Sequence, residues 1–527
     1  MKTCNRTLPI LAAAAAMILG IRPAPASDTD AVTARGVVYN DLNANDARDP
    51  GEPGIPGVRV SNGRDIVLTD GDGVYEMALD QDDIIFVIKP RGYQTRIDHH
   101  NIPRFYRIHK PAGSPDESFL YKGVEPTGAL PDSVDFPLTR RDASDAFSAV
   151  FVGDPQPYSI READWYARTT IADLVGTDAA FGVSLGDLVG DRLELFGPIN
   201  QAQSRAGVPW YNIYGNHDMN FHAPNDEHAD ETFERVYGPT NHAFQYGSVH
   251  FIVLDNVIWQ GFEGLRDDGR PENNNYRGGL REDQLRFVEN FLATVPRDEL
   301  VVLMFHIPIE GGGVHRVPEQ RELFEILSSH PKTLSLSGHT HLQRHWFFGE
   351  THGYTPGTEH HHLNAATASG SWYRGATDVA GVPHAAMRCG APKGYNIIDF
   401  DGAEYRIRYR AAAMDPDHQM RIWVPDEIDA GEDAEVIANI FAGSERSRVY
   451  CRINDGPWRP MDFDPRQDPH LRAIKELEQS AMPPNGRPIP DLRASHHIWS
   501  MPLPADLPTG YHTIEVKTTD MFGATHK

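Results

Sequence analysis

Five short apolar runs between residues 148 and 345 each stop at a turn that carries potential metal ligands. In chain order the turns are Gly153-Asp154-Pro155-Gln156, Gly186-Asp187-Leu188-Val189-Gly190-Asp191, Gly215-Asn216-His217-Asp218, His306 after Met304-Phe305, and Gly338-His339-Thr340-His341. Runs such as Ala149-Val150-Phe151-Val152, Phe251-Ile252-Val253-Leu254 and Leu300 to Phe305 are apolar on both faces, which suits strands covered by layers on both sides. Helices are predicted between them. One starts after Ser159, where Ser159 and Glu162 form a capping-box pattern. Another spans Glu282 to Val295, with Leu285, Val288, Leu292 and Val295 on one face, and a third runs from Glu319 to about Ser329. Buried strands alternating with helices specify a layered α/β core. In such sheets ligand groups gather at the carboxyl ends of strands, and a glycine before the ligand permits a tight turn there.

Carboxylate, amide oxygen and imidazole, with no thiolate, suit divalent Mn, Fe, Zn or Ni. Two ions about 3.5–4 Å apart need a bridging ligand, which a carboxylate supplies, and such a pair holds a hydroxide and orients phosphate oxygens. His217 beside Asn216 could face the leaving oxygen and donate a proton or offset charge. One such block alone reads as an ordinary polar loop; five in order do not.

The five blocks resemble the calcineurin-like metallophosphoesterase family, whose pattern is Asp-x-His, Gly-Asp-x-x, Gly-Asn-His-Asp/Glu, an isolated His and Gly-His-x-His. The resemblance implies an α/β fold, a four-layer β-sandwich flanked by helices, with a dinuclear site at one end. It implies that Asp187 bridges two ions, that Asp154 and His341 serve one, and that Asn216, His306 and His339 serve the other. His217 would be the catalytic imidazole, oriented by Asp218, with Asp191 hydrogen-bonding a ligand. Gln156 stands where the commoner pattern has His; its carbonyl oxygen can ligate, less strongly than imidazole. Gly190 stands where a purple acid phosphatase carries its iron-binding Tyr, which disfavours the ferric subtype.

The flanks resemble exported bacterial members with a small β-sandwich domain at each end. A chain of 527 residues is too long for one core. The expected division is a signal peptide over 1–26, a β-sandwich module over 27–125, a catalytic domain over 145–400 and a β-rich domain over 401–527. Lys2 and Arg6, the apolar run Leu8 to Ile21 and Ala24-Pro25-Ala26 form the export signal, with maturation at Ser27. No transmembrane segment is expected after cleavage, so the product would be periplasmic or secreted. The first module is read from Gly36–Tyr39, Val58–Val60, Ile66–Leu68, Val74–Met77 and Ile84–Ile88, which alternate at strand period. Tyr405–Tyr409, Ala434–Ile440 and His512–Lys517 do the same near the C-terminus, around a long Pro-rich loop at 465–492 with a short helix.

A net charge of −25, from 74 acidic and 49 basic residues, argues against nucleic acid as the main partner. Small-molecule or envelope phosphoesters are the expected substrates, with monoester and diester chemistry equally served, and the oligomeric state is left open. After removal of Cys4 the remaining Cys389 and Cys451 could pair or stay as separate thiols. Asp41, Asn43, Asn45, Asp49 and Glu52 fall at calcium-loop positions, although position 6 is Asp46 rather than Gly; a structural Ca and a solvated acidic turn are both open. Three consecutive His can bind metal, but Glu359 and the run His360-His361-His362 lie outside the five blocks and read as a solvated loop, and His99-His100 as a surface pair. Trp372, Tyr373 and Arg374 are candidate substrate contacts, or packing at the interdomain joint.

Overall fold

Two β-sheets packed face to face form the centre of the molecule, in a computed structural model that describes residues 32–115, 119–262, 264, 275–313, 315–429, 431–481 and 486–527. The expected export signal lies outside the described residues. One sheet runs Trp210–Asn212, Gly182–Ser184, Ala146–Val152, Gly394–Asp401, Glu404–Ala411, and the other His242–Tyr246, Val249–Val253, Leu300–Met304, Thr333–Ser337, His360–Asn364, Arg344–Phe348. The first three strands of the first sheet are mutually parallel, as are four consecutive strands of the second. Phe151, Val183 and Phe400 from one sheet share a buried cluster with Phe251, Val302 and Leu334 from the other. Val150 and Val152, on the opposite face, pack under the helices Ile160–Tyr166 and Phe196–Gln203. The helices Glu282–Leu292 and Gln320–Leu327 cover the second sheet through Phe287, Phe291, Leu323 and Phe324. Helix, sheet, sheet and helix make the four layers, because every strand run that is apolar on both faces needs a cover on each.

Local expectations hold with small shifts. Ser159 caps its helix, its side chain accepting from the Glu162 amide at 3.3 Å. The capping box is displaced by one residue: the Glu162 carboxylate accepts from Tyr158 N, at 2.6 Å, and not from Ser159. The helix Glu282–Leu292 buries Gln284, Phe287, Val288, Phe291 and Leu292, while Leu285 is only partly buried.

Two β modules flank the core. The first has a sheet ordered Val74–Leu79, Val32–Asn40, Phe136–Arg140, Tyr93–Ile97, Pro103–Arg104 and a second of Ile66–Leu68, Arg59–Ser61, Asp83–Val87, Tyr106–His109. Its strand Phe136–Arg140 lies past the expected boundary at 125, paired in parallel with Val32–Asn40. The C-terminal module has two four-stranded sheets around Val436, Val449, Trp499 and Val516. Glu404–Ala411, expected in that module, instead pairs antiparallel with Gly394–Asp401 as the edge of the catalytic sheet. The expected short helix is Pro469–Ser480, where the Asp468 side chain accepts from Leu471 N and proline occupies the first turn. Among the described residues no helix is long and apolar enough to cross a membrane.

Three sets of side chains singled out in the sequence are described here. Cys389 and Cys451 are free, each buried in a different cluster. The carboxylates of Asp41 and Glu52 accept main-chain amides of their own loop, from Asp46 at 2.9 Å and from Leu42 at 2.8 Å. Asp49 accepts from the side-chain amides of Asn43 and Asn45, each at 2.8 Å.

The third is a correction. His360, His361 and His362 form a fully buried strand rather than a solvated loop. His360 meets Thr333 Oγ1 and Ser335 Oγ, both at 2.7 Å, and His362 meets Ser335 Oγ at 2.7 Å and Ser337 Oγ at 3.1 Å. His361 points the other way, to His345 at 2.9 Å and Tyr405 Oη at 2.8 Å. Hydroxyl-bearing residues on the neighbouring strand thus satisfy the imidazoles that burial deprives of water.

Burial holds His360 down to about 3 and His361 and His362 well below their usual 6.5. These depressed values make the folded state prefer neutral rings, so stability is complete above about pH 6.5 and falls as the unfolded chain takes up protons below it. Urea midpoints of metal-stripped protein should therefore drop between pH 7 and pH 4. A flat profile over that window would contradict this account of the strand.

Candidate metal centre

The turns after the parallel strands bring Asp154, Gln156, Asp187, Asn216, His306, His339 and His341 to one end of the two sheets. Asp154, Gln156, His306 and His341 are at most 1% exposed, as is Asn216, and Asp187 is 2% exposed. Five of these seven have positive φ: Asp154 (41°), Gln156 (39°), Asp187 (49°), His339 (74°) and His341 (54°). Such conformations cost free energy in non-glycine residues and persist only where the surroundings impose them. Close approach accounts for two of the preceding glycines. A Cβ on Gly186 would overlap the His306 ring, and one on Gly215 would overlap the Asp187 amide.

The hydrogen bonds show which atoms face inward. His306 Nδ1–H donates to the Leu185 carbonyl at 2.8 Å, so its Nε2 lone pair is turned to Asn216 Oδ1 at 3.1 Å and Asp187 Oδ2 at 3.2 Å. His341 Nδ1–H donates to the Gly370 carbonyl, leaving Nε2 3.5 Å from Asp154 Oδ1. His339 donates its main-chain N–H to both Asp154 oxygens, at 3.0 and 2.9 Å, and its Nδ1 lies 3.2 Å from His306 Nε2. Gln156 Oε1 is buried with no hydrogen-bond partner among the described residues. Ligand atoms of Asp187, His306 and His339 all lie within 4.8 Å of one another. Lone pairs aimed at lone pairs are unfavourable unless a proton or a cation lies between them, and the donor set of carboxylate, amide oxygen and imidazole fits divalent ions.

The charges are strongly coupled. Burial, together with Asp187 and against the pull of His306, pushes Asp154 up to about 7. Asp187 is also buried, yet His306 and His217 hold it below the usual carboxylate range. His306 is opposed by burial but is raised to about 9 by Asp187. Burial and His306 push His339 well down.

His217 is placed beside this cluster. Its main-chain N–H donates to Asp187 Oδ1 at 2.9 Å, and its Nε2 is 4.0 Å from Asp187 Oδ2. Its Nδ1 is bonded to Asp191, so Asp191 and not Asp218 orients the ring. Against burial, Asp191 and Asp187 raise His217 to about 10. Asp218, expected to orient His217, instead accepts the main-chain amides of Leu188 and Val189, each at 3.1 Å, and Gly215 at 3.0 Å. It ties the second and third turns together. His315 is one residue that motif reading missed: its Nδ1 is 2.8 Å from His339 Nε2. It follows no apolar run, so no local pattern marks it. Tyr373, a candidate substrate contact, is buried and donates its hydroxyl to the Pro155 carbonyl at 2.7 Å, bracing the Asp154 turn.

Residues 147–343 match the calcineurin-like phosphoesterase family, residues 42–123 its N-terminal domain, and residues 361–526 its C-terminal domain. The chain belongs to the calcineurin-like phosphoesterases. This phosphoesterase is a metal-dependent hydrolase of phosphoric ester bonds, with the family's added domain on each side. No curated protein matches it. Among solved structures, purple acid phosphatase PPD1 from yellow lupin (Lupinus luteus) seeds is similar over 72% of this chain and 72% of its own, at 12% identity and a TM-score of 0.33.

Proposed function

We propose that the protein is an exported phosphoesterase, periplasmic or secreted, that cleaves small-molecule or envelope phosphate mono- or diesters at a pair of Mn, Fe, Zn or Ni ions. The observation that carries this reading is the set of inward-facing lone pairs on His306, Asn216, Asp187, Asp154 and His341, joined by the Gln156 oxygen, which has no partner among the described residues. Asp187 would bridge, Asp154, Gln156 and His341 would hold one ion, and Asn216, His306 and His339 the other. When bound, the ion pair supplies a nucleophilic hydroxide and offsets charge on the phosphoryl oxygens.

The chain's own groups do the rest. The carbonyls of Leu185 and Gly370 fix the tautomers of His306 and His341, so that in the neutral ring Nε2 of each would be the atom free to ligate. His217, held by Asp191, would donate a proton to the leaving oxygen. The buried turns exclude water from one side of the site. Gly190 offers no phenolate, and a side chain there would collide with the Tyr158 ring, which supports a pair of divalent ions over a ferric-tyrosinate centre. The reading extends to a structural calcium at Asp41, Asn43, Asn45, Asp49 and Glu52, whose oxygens line one loop.

Protein stripped with a chelator and refilled separately with Mn, Fe, Zn or Ni should hydrolyse an aryl phosphate or a bis-aryl phosphodiester, while stripped protein should not. Metal analysis should return about two ions per chain besides calcium. Absence of turnover with every metal and both esters would reject the proposal.

A further inference from the structure

The chain is strongly acidic, yet arginines lie at the rim of the metal-binding turns. The His341 carbonyl accepts from Arg388 N at 3.1 Å, and the Arg388 carbonyl accepts from Arg493 N at 3.0 Å. This pair of main-chain bonds fastens a loop of the C-terminal module onto the last metal-binding turn. The Arg388 guanidinium lies 5.9 Å from the centroid of the Trp372 ring, and that ring lies 4.1 Å from the His341 imidazole. Trp372 has a positive φ of 55°, a strained conformation at the edge of the site.

Among the described residues neither Arg388 nor Arg493 forms an ion pair with a carboxylate. Arg388 Nε donates to the main-chain carbonyl of Asp491 at 3.0 Å, and the Asp491 carboxylate is bonded to Lys475 Nζ at 2.7 Å. Arg493 is exposed and Arg388 half-buried. Guanidinium groups present paired N–H donors that match phosphate and carboxylate oxygens, so two of them with no ion-paired carboxylate among the described residues, beside a phosphoester site, form a recognisable binding surface.

We propose that Arg388 and Arg493 form a second anion subsite, which selects phosphoesters whose substituent carries a further anionic group, a phosphate or a carboxylate. The inference rests on the phosphoesterase reading for the position of the scissile group, but its binding chemistry stands on the arginines. The C-terminal module thereby acquires a role in substrate choice, because Arg493 lies on its loop, bonded through the main chain to Arg388.

Calorimetric titration of the metal-loaded protein with alkane diphosphonates of increasing chain length, alkyl phosphonocarboxylates and matching monophosphonates reads the subsite without turnover. A ligand of suitable length should bind about tenfold tighter than its monophosphonate. The two dianionic series distinguish phosphate from carboxylate as the favoured second group. Arg493→Gln, whose exposed side chain tolerates exchange, and the double variant with Arg388→Gln should erase that margin, and Arg493→Lys should keep part of it. In kinetics the ratio of kcat/KM for an alkyl bisphosphate over an aryl monophosphate should fall by a similar factor. No margin in the wild type, a margin unchanged in Arg493→Gln and the double variant, or equal losses for mono- and dianionic ligands would each overturn the subsite. A protein that shows the margin but hydrolyses no ester with any metal would instead reject the phosphoesterase proposal and leave the subsite standing.

Discussion

Replacing Asp187 by alanine should lower kcat/KM for ester hydrolysis by at least about 10³-fold, since a metal pair supplies several kcal/mol of charge stabilisation in the transition state. The geometry makes this side chain the hub of the site. One oxygen accepts the His217 amide at 2.9 Å and the other faces His306 Nε2 at 3.2 Å. Its removal takes away the bridging carboxylate, releases the main chain of His217 and leaves His306 without its charge partner. Metal content of the refilled protein should fall in parallel. Asp187→Asn is the sharper companion, because the shape and the His217 amide bond can persist while the bridging charge is lost. Measurement of kcat/KM together with metal content decides the matter; an alanine variant that keeps both would remove Asp187 from the centre.

His217→Ala should cost about 10²–10⁴-fold in kcat, the usual contribution of a positioned acid or base, with metal content nearly unchanged. The imidazole is bound to Asp191 through Nδ1, and its Nε2 stands 4.0 Å from the nearest Asp187 oxygen, beside the lone-pair cluster rather than within it. Asp191→Asn should give a smaller loss, about 10–100-fold, as a residue acting through another. It should also move the alkaline limb of the kcat profile to lower pH. The sign follows from the charges: His217 works as the protonated acid, Asp191 is the leading group that raises it to about 10, and without that negative charge the proton leaves sooner. Loss of metal in His217→Ala, or an alkaline limb unmoved in Asp191→Asn, would assign the ring a different task.

The strand-to-turn junctions were legible because each is written within a few residues. An apolar run specifies a covered strand, glycine permits the sharp exit, and the next polar side chain emerges at the sheet end. Asp154, Asp187, Asn216 and the paired imidazoles of His339 and His341 all follow that local grammar. The role of Asp218 was misread for the opposite reason. Adjacent to His217 in sequence, it turns back to the amides of Leu188 and Val189, while Asp191, from another turn, takes the imidazole. Three consecutive histidines carry no apolar alternation, so their burial depended on Thr333, Ser335 and Ser337 lying on the adjacent strand.

Module boundaries failed in the same way. Phe136–Arg140 and Glu404–Ala411 are strands by their own composition, but nothing local says which sheet they join. Arg388 and Arg493 reach the metal turns only because separate segments dock there.

The amino-acid order by itself thus determined the layered α/β core, the reaction class and nearly all of the inward-facing groups, since backbone turns and side-chain chemistry act over a few bonds. Only the tertiary structure decided sheet membership, the partner of His217, the fate of the buried histidines and the cationic rim. Those depend on pairing, desolvation and charge between segments far apart along the chain, whose free energies exist only once the chain has folded.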